Sequence, residues 1–198
     1  TSPAPDGSDW VAVGFPGNIS GATYRDVYTS AGAPRRPEYM FAFTAGRDPG
    51  HGRARPYVRL EMFTPHGDGY DAQSEYDIWN PDYAYAMASL GTMNAEIGFT
   101  LGVGGGTFGT PQQAVGFKDD FVAYSVTSST GTQIVRYGDY FSTRPKPDAA
   151  LFGTEVYDIQ LPPGAAAGAA CNSLPPGTSC SSNVRYVEFG RPPPAPPG

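Results

Sequence analysis

The chain has 198 residues, enough for one domain of ordinary size. Apolar residues make up 39% and charged residues 16%, while 26 Gly and 21 Pro fill roughly a quarter of the positions, which excludes long helices. The 13 Tyr, 11 Phe and 2 Trp are aromatic surface worth burying and exclude disorder throughout, and the net charge of −6 disfavours a nucleic-acid partner, because phosphate binding needs a basic face.

The opening Thr-Ser-Pro-Ala-Pro has no basic end, no apolar stretch and no initiator Met, so the chain is expected to be processed or a fragment. Trp10–Phe15 reads as a short strand stopped by Pro16-Gly17, with Asn18-Ile19-Ser20 as an N-glycosylation sequon just beyond it. Residues 16–37, rich in Gly and Pro, read mostly as loop. Tyr39–Thr44 alternates Tyr, Phe and Phe against Met and Ala and is expected to be a strand. Pro49-Gly50 marks the turn of the connection over 45–55. Tyr57–Phe63 alternates cleanly, and a period of two puts Tyr57, Arg59, Glu61 and Phe63 on one face.

Further along, Glu75–Trp79 is a short strand, and Tyr83–Leu90 is ambiguous between strand and helical turns. Asn94–Leu101 is a strand running into the glycines of 102–106. Gln113–Phe117 and Phe121–Thr127 follow, joined by Lys118-Asp119-Asp120. Gln133–Phe141 is a strand interrupted at Gly138. Ala150–Gln160 and Val184–Phe189 complete about a dozen short strands, the count of a sandwich, barrel or propeller. Residues 1–160 thus form the β-rich region. Residues 161–183 are a Pro/Gly/Ala-rich excursion, 184–191 the final strand, and 192–198 a polyproline tail. The two cysteines, Cys171 and Cys180, flank Leu174-Pro-Pro-Gly177. A disulfide across this short loop fits an oxidising, extracellular compartment. No run of 18 apolar residues exists, so no membrane-spanning helix is expected.

Several chemistries find no motif. Gly102–Gly106 lacks a Walker lysine and a following helix, so it reads as a bulge or turn, not a phosphate cradle. His51 and His66 have no partners at zinc-ligand spacing, and no Gly-x-Ser-x-Gly elbow occurs. Asp68, Asp71, Glu75, Asp77 and Asp82 form an acid-rich stretch, which makes Asp68, Asp71 and Glu75 weak calcium candidates; calcium is the one cofactor the sequence suggests. The densest polar and aromatic stretch is Arg136-Tyr-Gly-Asp-Tyr-Phe141 with Arg144. Gly138 suggests a bulge, and Arg136, Asp139, Tyr140 and Arg144 are the candidate binding residues, either as a structural corner or as the lining of a polar pocket.

Asn94-Ala-Glu-Ile-Gly, the triple glycine, Ala114-Val-Gly-Phe, Arg136-Tyr-Gly-Asp-Tyr and Arg185-Tyr-Val-Glu-Phe-Gly-Arg occur in that order. Over residues 75–191 this resembles the C-terminal part of secreted sialidase-like, BNR-repeat β-propeller proteins. The resemblance implies antiparallel four-stranded blades around an axis. Two departures stand beside it. The Asp box is absent, with Thr127-Ser-Ser-Thr-Gly131-Thr-Gln-Ile134 only an echo of it. A dozen strands also make about three blades, roughly half of a closed propeller. The missing half is then another segment, another chain or a symmetry-related copy, and the competing fold is a self-contained β-sandwich.

Three functions are compatible with this reading. The first is a non-catalytic extracellular scaffold or glycan-binding module. The second is a sialidase-like glycosidase using a Tyr nucleophile, for which Arg136, Tyr140, Arg144 and Glu155 are the residues available. The third is a structural subunit of an extracellular appendage or wall.

Overall fold

The computed structural model describes residues 3, 9–11, 17–27, 35–120, 122–126, 134–137, 141–147, 150–160, 162, 164 and 174–191. They form an all-β fold of twelve strands, with no α-helix among the described residues. The strands are β1 (Ile19–Val27), β2 (Arg36–Ala45), β3 (Tyr57–His66), β4 (Gly69–Ile78), β5 (Ala84–Met93), β6 (Glu96–Gly104), β7 (Gln112–Phe117), β8 (Val122–Ser125), β9 (Ile134–Tyr137), β10 (Ser142–Pro145), β11 (Leu151–Gln160) and β12 (Ser181–Phe189). All pairings are antiparallel. β1–β4 form one sheet in sequence order, β5–β8 form a second, and β9–β12 form a third that does not follow chain order. In the third sheet β9 and β10 pair with successive stretches of β11, in registers one residue apart, and β12 lies on the other side. None of the sheets closes on itself.

The second sheet is the middle layer, and the alternation of β6 shows how it serves two neighbours. Ile97, Phe99, Leu101 and Val103 point one way, into a core shared with Met40, Ala42, Val58, Leu60 and Met62 of the first sheet. Gly98, Thr100 and Gly102 point the other way and leave room for the third layer. A Cβ on Gly98 would lie 2.1 Å from Leu151, and one on Gly102 would lie 3.0 Å from Trp10 and 3.1 Å from Tyr137. Large side chains on one face and almost none on the other therefore set two different layer spacings. The glycines that read as a bulge or turn in the sequence divide accordingly. Gly102 and Gly104 belong to β6, while Gly105 and Gly106 take positive φ just after it.

β5 reaches both neighbours through a bulge. Its register against β6 shifts between Ala86 and Ser89, and Met87 has a φ of 60°, a left-handed conformation that a non-glycine residue adopts only with support. The support is Thr44, a buried residue whose Oγ1 accepts the Met87 N–H at 2.8 Å. Beyond the bulge, Leu90 faces the first sheet, while Ser89 and Gly91 meet Thr143 of β10. Tyr83–Leu90, ambiguous in the sequence, is thus mostly strand.

One strand of each layer, β1, β5 and β10, comes close to its counterpart in the neighbouring layer. Ser20 Oγ donates to Ala88 O at 2.8 Å, Thr23 and Thr92 hydroxyls meet at 2.8 Å, and Thr143 Oγ1 donates to Ser89 O at 3.0 Å. Progress from Ser20 to Thr23 along β1 matches progress from Ala88 to Thr92 along β5, so these strands run parallel.

Three expectations need correction. Residues 16–37 are not mostly loop, because β1 occupies Ile19–Val27. Its inward positions, Gly21, Thr23 and Arg25, are not apolar, so it lacks the period-2 hydrophobic signal. Trp10 and Val11 form a turn, and Trp10 is buried against Tyr137; 12–15 lie outside the described residues. Phe99 is buried at the core between the first two sheets. A self-contained two-sheet sandwich does not describe three stacked layers.

A Cβ on Gly21 would lie 2.8 Å from Ala88 O, 2.9 Å from Leu90 N and 3.0 Å from Ser89 Cα. These are backbone atoms that cannot swing aside. Gly21→Ala is expected to lower unfolding stability in urea by about 1–3 kcal/mol. Gly46→Ala, at a site with nothing within 4 Å, should leave it within about 0.5 kcal/mol.

Candidate binding cleft

Close approach of the inner strands leaves the outer strands of neighbouring layers further apart. Between β4 of the first sheet and the β7–β8 edge of the second lies a cleft of about 410 Å³. Tyr76 and Ile78 of β4 turn inward onto the shared core, as do Phe99 and Tyr85 from the facing sheet. Trp79 lies at the rim and is 41% exposed.

Lys118 is the cleft's cation. It opens the short 3-10 turn Lys118–Asp120, and its side chain is 3% exposed. Its ammonium pairs with the Asp119 carboxylate and sits 4.6 Å from the centre of the Tyr76 ring. A buried ammonium needs such compensation, because desolvation costs several kcal/mol. Asp119 also accepts from Arg25 Nη1 at 3.4 Å, and Arg25 in turn donates to Glu38 at 2.8 Å and to Ala95 O at 3.1 Å. Burial acts to raise the Asp119 carboxyl, but Lys118 and Arg25 outweigh it and hold the group below its ordinary range. Burial pushes the Tyr85 phenol well above its ordinary value, and a hydrogen bond with Tyr83 adds to this, so Tyr85 stays neutral.

The rim is fixed by a second ionic group. Asp77 accepts from Arg53 Nε at 3.1 Å and from Arg59 Nε at 2.9 Å, and Arg59 also pairs with Glu75 at 3.1 Å. The Arg53 guanidinium lies 4.2 Å from the centre of the Trp79 ring and holds it. The hydrogen bond to Asp77 keeps Arg59 firmly protonated. The arrangement joins an anchored indole to apolar walls and a few convergent polar groups, the make-up of small-molecule sites.

The residues singled out in the sequence lie mostly elsewhere. Arg144 is exposed on β10, with its Nε on Ser142 Oγ at 3.1 Å. The Arg136 backbone pairs with Ile159 in the third sheet; its side chain, and Asp139 and Tyr140 entirely, lie outside the described residues, as does the Glu155 side chain. Of the acids, Glu75 and Asp77 are engaged by arginines, Asp71 lies 3.4 Å from His66, and Asp68 is exposed in the β3–β4 turn. Among the described residues no group of three or more His, Cys, Asp or Glu is placed to hold a metal ion. Asn18 is exposed at the start of β1. Cys171, and with it the pairing to Cys180, lies outside the described residues. The turn before Cys180 is formed by Thr178 N donating to Pro175 O at 3.0 Å, with Gly177 at a φ of 86°, as a Pro-Gly type II turn requires. Sequence reading passed over Trp79 and took Lys118 only as part of a connection. The available signal was a lone lysine directly after an apolar strand end in a chain with one other lysine.

No known protein family, curated protein or solved structure matches this chain.

The lowered Asp119 carboxyl has a pH consequence. A group whose folded pKa lies below its unfolded value adds stability above the unfolded value and loses it as pH falls. Melting temperature should therefore drop as pH is lowered from about 4, and Asp119→Asn should flatten that decline relative to the parent. Identical slopes in both proteins between pH 6 and pH 2 would contradict the Lys118–Asp119–Arg25 network.

Proposed function

We propose that this chain is a non-catalytic, extracellular β-sheet module that binds glycans in the cleft between β4 and the β7–β8 edge, built as part of a sialidase-like propeller. The observation that carries this reading is Trp79, an indole half in solvent, held by Arg53 and lining a cleft that also offers Lys118, Glu75 and Asp77. Pyranose rings present C–H-rich faces that stack on the electron-rich face of an aromatic ring. Their hydroxyls pair with carboxylates and ammonium groups. The stacked four-stranded meanders of the first two sheets support the propeller part of the reading, since each puts its first strand innermost.

The glycosidase alternative draws less support. The sialidase-type reaction uses a Tyr nucleophile with a partner carboxylate, and Tyr140 and the Glu155 side chain lie outside the described residues. The two carboxylates of the cleft, Glu75 and Asp77, are both committed to arginines. The extracellular setting goes with a Cys171–Cys180 disulfide around the Pro175–Thr178 turn. On that reading, thiol titration of the denatured, unreduced protein returns no free thiol, and Cys180→Ser lowers stability by about 2–3 kcal/mol. Two titratable thiols would remove this support for an oxidising compartment.

Calorimetric titration against a panel of neutral and acidic oligosaccharides tests the binding itself. At least one should bind, and Trp79→Ala should weaken it about tenfold or more with the melting temperature nearly unchanged. A panel without a binder, or a binder indifferent to Trp79, would overturn the assignment to this cleft.

A further inference from the structure

We propose that two copies of this chain associate head to tail, the outer face of the β1–β4 sheet of each copy docking on the outer face of the β9–β12 sheet of the other. The inference does not rest on glycan binding, though it shares the propeller reading, and Glu75 borders both the cleft and the outer face of the first sheet.

The first argument is repetition. The chain stacks one sheet on the next twice by a similar inner-strand contact. Gly21 brings β1 onto β5, where Ser20 Oγ donates to Ala88 O; Gly91 brings β5 onto β10, where Thr143 Oγ1 donates to Ser89 O. Repetition without closure leaves two unlike faces at the ends of the stack, the arrangement that yields heterologous contacts and rings. Two copies place six sheets in a ring, within the four to eight that closed propellers use.

The second argument is the chemistry of the end faces. On the first sheet, inward Met40, Ala42, Leu60 and Met62 alternate with outward Tyr39, Phe41, Glu61 and Phe63. Tyr39, Phe41, Phe63 and Tyr70 line an open apolar hollow, and Tyr24 and Tyr70 are 61% and 66% exposed. On the third sheet, Leu151 and Phe189 turn inward, while Phe152 and Tyr186 stack with ring centroids 5.4 Å apart on the outer side, Tyr186 being 70% exposed. Aromatic surface of this kind on a sheet face marks an interaction site.

The third argument is charge. Glu61 stands directly opposite Glu75 on the outer face of the first sheet, a like-charge pair that costs stability. Arg59 takes Glu75, and Glu61 has no ion pair among the described residues. On the other end face, Arg144 stands opposite Phe152 and is bonded only to Ser142 Oγ among the described residues. Among the described residues, each face thus carries one uncompensated charge, of opposite sign, beside its aromatic residues. A second copy supplies both complements at once.

Sedimentation and light scattering of the 198-residue chain over a wide concentration range test this. The expected result is a dimer of twice 20.9 kDa. Phe41→Asp and Tyr186→Asp should each give monomers, with near-UV circular dichroism confirming the fold. Mixing the two should recover association, because each retains the face the other lacks. Glu61→Arg and Arg144→Glu, surface changes that spare the core, should each raise the dimer dissociation constant at least tenfold, and the double variant should restore it. A wild-type monomer at all concentrations overturns the proposal. So does a dimer broken by Phe41→Asp but indifferent to Tyr186→Asp, which is a symmetric contact of like faces. Open-ended growth with concentration, or an oligosaccharide occupying the Tyr39–Phe63 face of a monomer, overturns it as well.

Discussion

The fold depends on how closely β1, β5 and β10, one strand from each layer, approach one another. β5 lies in the middle, with β1 on one side and β10 on the other. At both contacts a glycine, Gly21 or Gly91, lets the backbones come within van der Waals distance. Hydroxyl side chains, Ser20 on one side and Thr143 on the other, take up the carbonyls this approach leaves facing each other. A buried carbonyl without a partner would cost about 1–3 kcal/mol. Small side chains and short hydroxyls therefore act together, the first permitting the contact and the second making its polar groups tolerable.

Larger side chains take over away from these strands. On the first interface the filling is Ile97, Phe99 and Leu101 against Leu60 and Met62. Further out, Tyr76 and Lys118 share the space between β4 and the β7–β8 edge, the lysine stem lying along apolar surface while its head finds Asp119. The cleft lies where these side chains leave the space between β4 and the β7–β8 edge incompletely filled. The ionic groups around Asp77 and Asp119 lie where the packing thins and water begins to reach.

Legibility in the sequence followed the hydrophobic signal. Tyr39–Thr44 and Tyr57–Phe63 alternate because one face is core and the other is not, and both are strands with the expected facing. β1 was invisible because its inward residues are Gly21, Thr23 and Arg25, chosen for close approach and polar contact instead of apolar burial. The first half of β4 is an edge strand of polar residues entered through Gly67-Asp68, a two-residue turn with Gly67 at a φ of 57°; that turn pair was the better signal, and the acid-rich composition obscured it. The site was less legible for a related reason. Its residues come from β4, from the turn after β7 and from the loop before β3; the pairing of β3 with β4 brings Arg53 onto Trp79, and only the stacking of layers brings Lys118 under Tyr76.

Alternation also has a consequence at the ends of the stack. A strand with period 2 presents two faces, and a middle sheet uses both. β6 does this with large residues on one side and glycine or threonine on the other. An end sheet has only one neighbour, so its outer face is free to become charged and polar, as edges and faces in water usually are. The outer face of the first sheet has not done so. Phe41 and Phe43 stand where solvent-facing positions would ordinarily carry Lys, Thr or Glu, and Glu61 faces Glu75 without a cation of its own among the described residues. Outward aromatic residues add nothing to the core beneath them, and two facing carboxylates weaken the sheet that carries them. On the proposed head-to-tail association, these residues of one end face and Phe152, Tyr186 and Arg144 of the opposite end are the contacts that the second copy completes.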